Sequence, residues 1–424
     1  MKAGLAARQA ALDMLSQVLR RRAPLDGALK AAEGLEPRDA GFARAIASET
    51  LRRFGQLEAL IRLYVPKPVA RNRAGPVSEI LLAGACELLF LDVPAHAVVD
   101  AANRLAEADS KALHFKGLIN AVLRRVAREG KDALAAQDAA RLNTADWLWQ
   151  RWCETYGESV ARAIAAAHLN PPPLDIVTKG AALREAEHLF GNVYRLRAHE
   201  RIEAMAGFAE GDWWVQDAAA ALPALLLGEV RGKRVIDLCA APGGKAVQLA
   251  AAGARVIAVE REASRLARLK ENLARLHLEA ELVAADARDF RPKEPAPFVL
   301  LDAPCSATGT IRRHPELPWI KGASDVTLCA AGAGELLDAA AEMTAVGGLL
   351  VFAVCSLERE EASEQAEAFL ARRRDFVRVR ITSEELFAHG EWLDANGDLR
   401  TLPCHLAALG SMDGFYAARF RRIS

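Results

Sequence analysis

Two cysteines and an aspartate lie where apolar stretches of this sequence end. Residues 298–301 lead into Asp302 and then Cys305, and residues 347–354 lead directly into Cys355. Both stretches are apolar without alternation, which predicts strands that are covered on both faces. Ligands of parallel sheets bind beyond the carboxyl ends of the strands. If the two strands are neighbours, both thiols and the acid face one crevice.

Each cysteine taken alone has a simpler interpretation. A lone cysteine is most often a small buried hydrophobe. Zinc needs further ligands in suitable spacing, and the sequence offers none, so we predict no metal. The 7 cysteines are scattered without a CxxC pair, which favours free thiols in a reducing, cytoplasmic environment over disulfides. Two thiols beside an acid indicate chemistry only if a suitable cofactor accompanies them.

The segment "DLCAAPGGKAVQLA", residues 237–250, has the form of a cofactor loop. A predicted strand meets a glycine-rich turn and then a helix, whose N-terminus is electropositive. Gly243 and Gly244 allow the backbone to approach a ligand closely. Neither a phosphate loop nor a dinucleotide site is favoured, because Cys239 stands where the first needs glycine and G-x-G-x-x-G is absent.

Acids at the ends of the next two predicted strands complete this cofactor site. Glu260 ends the second strand, 23 residues after Asp237, where an acid can bind both hydroxyls of a ribose. Asp286 ends the third strand, where it can meet an adenine amino group. A solvated strand end would explain one such acid but not three beside a glycine-rich turn. Ribose and adenine without a phosphate loop favour S-adenosylmethionine.

A methyl donor beside two thiols suits methylation of a pyrimidine at C5. That carbon is too weakly nucleophilic to take a methyl group unaided, and a thiolate that adds to C6 activates it. An acid bonded to N3 stabilises the charge that arises, and a base then removes the C5 proton so that the thiolate leaves. The spacing alone does not decide which cysteine attacks.

The order of predicted elements supplies the framework for this site. From about residue 211 strands alternate with helices, which predicts a Rossmann-like α/β domain with a doubly wound parallel sheet over residues 211–424. Residues 1–130 carry apolar positions at helical spacing. They predict an all-α domain whose last helix stops at Gly130.

A third part, residues 131–210, lies between these two. Its first half reads as two helices, and the prolines of "NPPP" then forbid helix. After them we predict a strand at 174–178, a helix at 181–190 and a further strand. This pattern favours a small α/β linking subdomain.

Charge separates the two ends of the chain. The 424 residues hold 55 Lys and Arg against 55 Asp and Glu, but residues 1–130 hold 20 against 14. A basic segment on a neutral chain indicates a polyanionic partner, although a solvated helical surface would look the same. No apolar run reaches the roughly 18 residues of a membrane span, so we expect no membrane partner.

The motifs resemble those of the RNA 5-methylcytosine methyltransferases, the Nol1/Nop2/Sun family. "DLCAAPGGKA", "LLDAPCSATG" and "VCSLEREE" are similar to its cofactor loop and its two cysteine motifs, and "VQD" and "DGFYAARF" extend the match over the catalytic half. "CSATGTIRRHPE" resembles the bacterial 16S rRNA branch. "EPRDAGFARAIASETLRR", "VPAHAVVDAANRL" and "KGLINAVLRRV" resemble the NusB-like RNA-binding domain which that branch carries.

The resemblance implies roles for individual residues. Cys355 would be the nucleophile, and Cys305 would help to eliminate the adduct. Arg312, Arg313 and His314 would contact phosphate or the target loop, or would only order that loop. The residues that would contact S-adenosylmethionine or lie beside it are Cys239, Ala240, Ala241, Pro242, Gly243, Gly244, Lys245, Glu260, Asp286 and Asp302.

These inferences predict a monomeric, cytoplasmic enzyme that forms 5-methylcytosine in 16S rRNA, as naked RNA or in an early assembly intermediate. A methyltransferase acting on tRNA or 23S rRNA would have a similar site. A non-catalytic RNA-binding assembly factor, led by the NusB-like domain, is a rival from another class, and the intact pair of cysteines argues against it.

Overall fold

The structure, a computed structural model, describes residues 3–67, 71–180, 186–196 and 201–424. Its chain divides into two compact units. The helical unit comprises the residues up to Pro171 together with Ile311–Gly322. The catalytic unit comprises Pro172–Thr310 and Ala323–Ser424. The division into three parts at residues 130 and 210 stays a prediction.

Helices are numbered here in chain order over the described residues. They are α1 (Ala3–Arg21), α2 (Leu25–Ala28), α3 (Pro37–Arg52), α4 (Phe54–Tyr64), α5 (Arg71–Ala74), α6 (Val77–Leu89), α7 (Ala95–Glu107), α8 (Lys116–Ala135), α9 (Ala139–Leu142), α10 (Asp146–Tyr156), α11 (Glu158–His168), α12 (Ala218–Leu225), α13 (Gly244–Ala251), α14 (Ala263–Arg275), α15 (Leu317–Ile320), α16 (Ala323–Met343) and α17 (Ser363–Arg372). None of the described helices is long and apolar enough to cross a membrane.

Strands are numbered in the same way. They are β1 (Leu174–Thr178), β2 (Ala186–Phe190), β3 (Val193–Leu196), β4 (Trp213–Val215), β5 (Arg234–Leu238), β6 (Arg255–Glu260), β7 (Glu281–Ala284), β8 (Ala296–Asp302), β9 (Thr344–Val354), β10 (Phe376–Arg378), β11 (Leu399–Thr401) and β12 (Phe415–Arg422).

The helical unit packs around α6, which is apolar on nearly every side. Between Val77 and Leu88 every α6 residue except Ser78 is buried, which matches a helix surrounded by its neighbours α3, α4, α7 and α8. The predicted stop at Gly130 is wrong, because α8 runs on to Ala135. A Cβ at Gly130 would lie 3.0 Å from Leu89 Cδ2, so this glycine permits close helix packing rather than ending the helix.

The segment Ile311–Gly322 belongs to the helical unit although it follows the Cys305 motif in sequence. Trp319 donates its ring N–H to the carbonyl of Leu51 at 3.0 Å and packs at 4.8 Å from the Phe54 ring. Glu316, fully buried, accepts from the amide of Leu25 at 3.2 Å. Long-range contacts of this kind leave no local pattern in the sequence.

The start of the catalytic unit forms a small antiparallel sheet in the order β2-β3-β1-β4. The predicted strand at 174–178 is confirmed as β1. The predicted helix at 181–190 is wrong over its described part, since Ala186–Phe190 is strand β2 and residues 181–185 lie outside the described residues. β2 pairs with β3 across a tight turn at Gly191, whose φ of 49° favours glycine.

The larger sheet has the order β10-β12-β9-β8-β5-β6-β7, with β11 on β12. The pairs among β5 to β9 are parallel, as predicted for a Rossmann-like domain. The pairs that β12 forms with β9, β10 and β11 are antiparallel, so the sheet is mixed. β8 and β9 are adjacent, with Asp302 opposite Ala353. This adjacency is the condition that the two cysteines needed.

Candidate active site

The two cysteines meet beyond the ends of β8 and β9. The amide of Ala303 donates to the carbonyl of Ala353 at 2.9 Å, which keeps the two strand ends together. Cys305 Sγ then lies 3.4 Å from Cys355 Sγ, and both side chains are half-buried. The structure therefore brings together the two thiols that the sequence suggested.

The environment of Cys305 disfavours its thiolate. The hydrogen bond to Cys355 and then burial hold the pKa of the Cys305 thiol well above its usual range. Cys305 is consequently a thiol at neutral pH.

An ion pair from the cofactor loop reaches the same strand end. Lys245 lies in the first turn of α13, and its Nζ is 2.6 Å from Asp302 Oδ2. The ammonium also lies 4.9 Å from the centre of the Phe415 ring, a cation–π contact. Lys245 is buried whereas the carboxyl of Asp302 is 32% exposed, so the lysine holds an acid that substrate can still reach.

The cofactor loop turns tightly between β5 and α13. Cys239 has a φ of 60° and Gly243 a φ of 115°, both in the left-handed region. A Cβ at Gly243 would lie 2.4 Å from Leu269 Cδ1, so only glycine fits there. The amide of Ala240 donates to the carbonyl of Val259 at 3.1 Å, which ties the loop to β6.

A cavity of about 300 Å³ lies beside this loop. Cys239, Glu260 and Asp286, three of the predicted cofactor residues, line it together. Neither residues 240–245 nor Asp302 are among the described residues that line it. Its other wall comes from α16, including Leu328, which is 75% exposed. The cavity thus joins three consecutive strand ends to an exposed apolar side chain that could cover a flat ring.

The two acids in this cavity are held by different partners. Glu260 accepts from the amide of Glu262 at 3.0 Å, and its other oxygen lies 3.5 Å from the guanidinium of Arg265. Asp286 accepts from Arg288 through both oxygens, at 2.7 and 3.0 Å, and this pairing lowers the pKa of Asp286 to about 2. Asp286 is therefore an ionised hydrogen-bond acceptor at any physiological pH.

Asp237 supplies the observation that tests whether S-adenosylmethionine fits. Its carboxyl group is fully buried, and neither oxygen has a hydrogen-bond partner among the described residues. Burial, followed by the charge of Asp302, raises the pKa of Asp237 to about 8. A buried acid without a partner beside Glu260 and Asp302 suits a ligand that carries positive charge and polar hydrogens. These carboxyl acceptors therefore fit a sulfonium nucleoside.

The predicted RNA contacts follow the Cys305 motif in sequence. Arg312, Arg313 and His314 belong to the helical unit. Arg312 is fully buried, and its carbonyl accepts from Arg52 at 2.8 Å. The burial of Arg312 favours the role of ordering its segment over a contact with phosphate.

Sequence reasoning missed the polar groups directly behind the thiols. Ser306 and Ser356, each next to a cysteine, are buried and both bond to the carboxylate of Glu361. The sequence contains features that could have indicated these residues. Both cysteine motifs read Cys-Ser, and an acidic run follows the second. Among the described residues no group of three or more His, Cys, Asp or Glu is placed to hold a metal ion.

Comparison with known proteins matches both ends of the chain. Residues 224–421 match the family model described as 16S rRNA methyltransferase RsmB/F, and residues 5–128 match the NusB family. The ribosomal RNA small subunit methyltransferase B of Pseudomonas putida is 36% identical, with 98% of each chain covered. The protein of that name from Vibrio cholerae is 33% identical, with 97% of this chain and 96% of the other covered.

Solved structures show the same fold. The crystal structure of PH0851 matches with a TM-score of 0.76 at 22% identity, covering 99% of this chain and 98% of the other. The family profile, the whole-length relatives and a cofactor cavity at the strand ends agree with one another. The chain therefore belongs to the RsmB/F family of S-adenosylmethionine-dependent 16S rRNA methyltransferases, with a NusB domain at its N-terminus.

Proposed function

We propose that this enzyme forms 5-methylcytosine in 16S rRNA through a covalent bond between Cys355 and C6 of the cytosine. The contact of 3.4 Å between Cys305 Sγ and Cys355 Sγ carries this proposal. Methyl transfer to a nitrogen or oxygen nucleophile needs no thiol, whereas methylation at C5 needs one to attack and a base to release the product.

We assign the attack to Cys355 and the later removal of the C5 proton to Cys305. Cys355 Sγ attacks C6, which places electron density on C5. While Cys355 is free, its hydrogen bond to Cys305 contributes most to the raised pKa of the Cys305 thiol. Once Cys355 is bonded to carbon, that cause disappears and Cys305 loses its proton more easily. After C5 has taken the methyl group and Cys305 has released its own proton to solvent, the Cys305 thiolate takes the C5 proton, and the bond from Cys355 to C6 breaks.

Asp302 and Lys245 act on the cytosine ring. We assign Asp302 to N3, where its carboxylate accepts a hydrogen bond from N3 as that nitrogen takes a proton from solvent, so that the ring gains no net negative charge when the thiolate adds. The 2.6 Å ion pair with Lys245 fixes the orientation of that carboxyl group, so the ring is held without a conformational search.

The cofactor would occupy the cavity beside the glycine-rich loop. Glu260 would accept from the ribose hydroxyls, Asp286 from the adenine amino group, and Asp237 would face the positive part of the molecule. S-adenosylmethionine, when bound, supplies the methyl group. Of the loop residues 239–245, Cys239 is among the described residues that line this cavity.

The proposed substrate rests on the relatives and on charge. The names of the relatives specify ribosomal RNA of the small subunit, and the NusB-family match covers the basic N-terminal part. Residues 1–130 would bind the RNA backbone through the excess of basic side chains. We propose naked 16S rRNA or an early assembly intermediate as the substrate, and a cytoplasmic monomer as the active form.

A methyl-transfer assay tests this function. Donor labelled in its methyl group is incubated with the enzyme and naked 16S rRNA, 30S subunits, 23S rRNA or tRNA, and the labelled base is identified by nuclease digestion. We expect 5-methylcytosine in naked 16S rRNA. Label in tRNA or 23S rRNA would move the enzyme to another branch, and no label in any RNA would favour the assembly factor. Label at a different atom would refute the cysteine mechanism.

A further inference from the structure

The two loops that carry the cysteines share one buried anchor. Ser306 follows Cys305 and Ser356 follows Cys355, and both serines are fully buried. Their hydroxyl oxygens lie 3.4 Å apart. Each cysteine is therefore one residue away from a point where the two loops meet.

Glu361 occupies that meeting point. Its Oε1 accepts from the amide of Ser306 at 2.7 Å, and its Oε2 accepts from the Ser306 hydroxyl at 2.5 Å. The Ser356 hydroxyl donates to the same Oε2. Glu361 is only 1% exposed. A single buried carboxylate thus accepts three hydrogen bonds from the residues that follow the two cysteines.

Further hydrogen bonds join the loops but do not replace this anchor. The amide of Gly309 donates to the carbonyl of Cys355 at 3.0 Å, and the amide of Leu357 donates to the Thr308 hydroxyl at 2.9 Å. Arg400 donates to the carbonyl of Ser356 at 2.7 Å. These bonds hold backbone positions, whereas Glu361 alone among the described residues bonds to both serine side chains through a carboxylate.

We propose that Glu361 is a positioning residue that fixes the separation between the Cys305 and Cys355 thiols. The inference rests on the proposed function for its catalytic meaning, but the thiol separation itself is measurable without any substrate. The carboxylate of Glu361 is hydrogen-bonded to the residue that follows each cysteine. We therefore expect any displacement of Glu361 to move at least one of the two sulfur atoms. A displacement of about 1 Å at reacting groups can lower a rate by about 100-fold.

The pKa of Glu361 reflects both its burial and the hydrogen bonds that it accepts. Burial raises the pKa of Glu361, and the hydrogen bonds from Ser306 and Ser356 oppose that rise. The neighbouring Glu358 charge raises it further. Glu361 also contributes to the raised pKa of Cys305, after Cys355 and burial. Its loss would therefore alter the geometry of the thiol pair and the ease of ionising Cys305.

Disulfide formation in the full-length protein measures the thiol separation directly. Diamide takes two hydrogens from a pair of thiols, so one S–S bond forms and diamide is reduced to the hydrazine. Peptide mapping then gives the rate at which Cys305 joins Cys355. Glu361→Met keeps the length of the side chain without its acceptors, Glu361→Gln keeps one acceptor and one donor for the serines, and Glu364→Met is the exposed control on α17.

We expect Glu361→Met to slow disulfide formation at least about 10-fold and to lower kcat about 100-fold, with KM for S-adenosylmethionine within about twofold of wild type. Glu361→Gln should recover most of both losses, and Glu364→Met should match wild type. If Glu361→Met does not fold, the double variant Ser306→Ala/Ser356→Ala removes the side-chain bonds with a smaller change and should show the same two losses.

The two readouts separate the possible failures. Wild-type rates of disulfide formation in Glu361→Met, or in the double serine variant, would overturn the positioning role even if the wild-type enzyme makes 5-methylcytosine. Slow disulfide formation in a variant whose wild type methylates no cytosine would leave the positioning role standing and refute the proposed function. A fall in kcat that Glu361→Gln does not rescue, with unchanged disulfide formation, would also contradict the proposal.

Discussion

Buried carboxyl groups have different surroundings in the two units. In the helical unit the buried carboxylates of Glu79 and Glu87 pair with arginines from α1, Arg20 and Arg8, at 2.6 Å. In the catalytic unit the fully buried Asp237 has no hydrogen-bond partner among the described residues, and its pKa is raised to about 8. The first arrangement fixes helices against one another. The second leaves a buried carboxyl group able to bind a ligand, at a cost in folding free energy, as expected of a functional site.

This difference predicts which side-chain substitutions should lower stability and which should lower activity. Removing one partner of a buried ion pair leaves an uncompensated charge, and this destabilises a fold strongly. Removing a group that is already unsatisfied should cost the fold little. The five predictions below test this distinction, beginning with the largest effect.

The same substitution at two cysteines should give opposite results. Cys355→Ser should reduce methyl transfer below detection, because serine is a far weaker nucleophile, with S-adenosylmethionine affinity and stability unchanged. Cys86→Ser, at a fully buried position of α6, should keep activity but lose about 1–3 kcal/mol of stability by burying a hydroxyl. Methyl incorporation, titration calorimetry and urea unfolding measure these effects. An active Cys355→Ser enzyme would refute the assignment of the nucleophile.

Cys305→Ala should accumulate a covalent protein–RNA complex. Attack and methylation should proceed, but without Cys305 the C5 proton leaves slowly and the bond from Cys355 to C6 persists. A shifted band on a denaturing gel reports the complex, and Cys305→Ala/Cys355→Ala should lack it. Without a band in the single variant, either the roles are reversed or Cys305 only packs.

Glu87→Ala should destabilise the helical unit by about 3–5 kcal/mol, since the Arg8 guanidinium is only 12% exposed and would lose its charged partner. Glu129→Ala is the matched control, because Glu129 pairs with Arg125 at the surface of α8, where water screens the pair, and this change should leave stability nearly unaltered. Urea unfolding of each variant gives the comparison. Equal losses would show that burial of the pair is unimportant.

Asp237 should make stability depend on pH. Its pKa is about 8 in the folded protein, against an ordinary value of 3.8, so between these values the folded state holds a proton that the unfolded chain has released. The free energy of unfolding should therefore fall as pH rises through this range. Asp237→Asn should flatten that fall and weaken S-adenosylmethionine binding, whereas Asp289→Asn, at an exposed site, should do neither. An unchanged slope in Asp237→Asn would show that Asp237 is ionised in the folded state.

The smallest expected effect concerns the surface of α8. Arg124 and Arg128 are exposed there, and replacing both with glutamine should weaken RNA binding uniformly across sequences. The slope of log affinity against log salt should decrease by about 0.7–0.9 for each phosphate that the variant no longer neutralises. Arg374→Gln, in the catalytic unit, is the control. An unchanged slope would assign the basic excess of the helical unit to solvation alone.

Local signals predicted most of the individual elements. The apolar runs before Asp302 and Cys355 are strands because β-structure buried on both faces is continuous and apolar, a property of adjacent residues. The sequence predicts a helix for residues 181–190 because alanine and leucine have high helix propensity. Pairing with β3 instead decides the conformation of Ala186–Phe190. The intrinsic helix propensity of a short segment contributes less free energy than strand pairing and burial do.

The sequence by itself determined the alternation of strands and helices, the glycine-rich cofactor loop, and the acid or thiol at each strand end, since each is written in neighbouring residues. Only the tertiary structure decided that β12 lies between β9 and β10, that Ile311–Gly322 packs with the helices, and that Ser306 and Ser356 converge on Glu361. These features join residues far apart in the chain. Their stability comes from burial and hydrogen bonding that exist only when distant segments meet, so no local pattern encodes them.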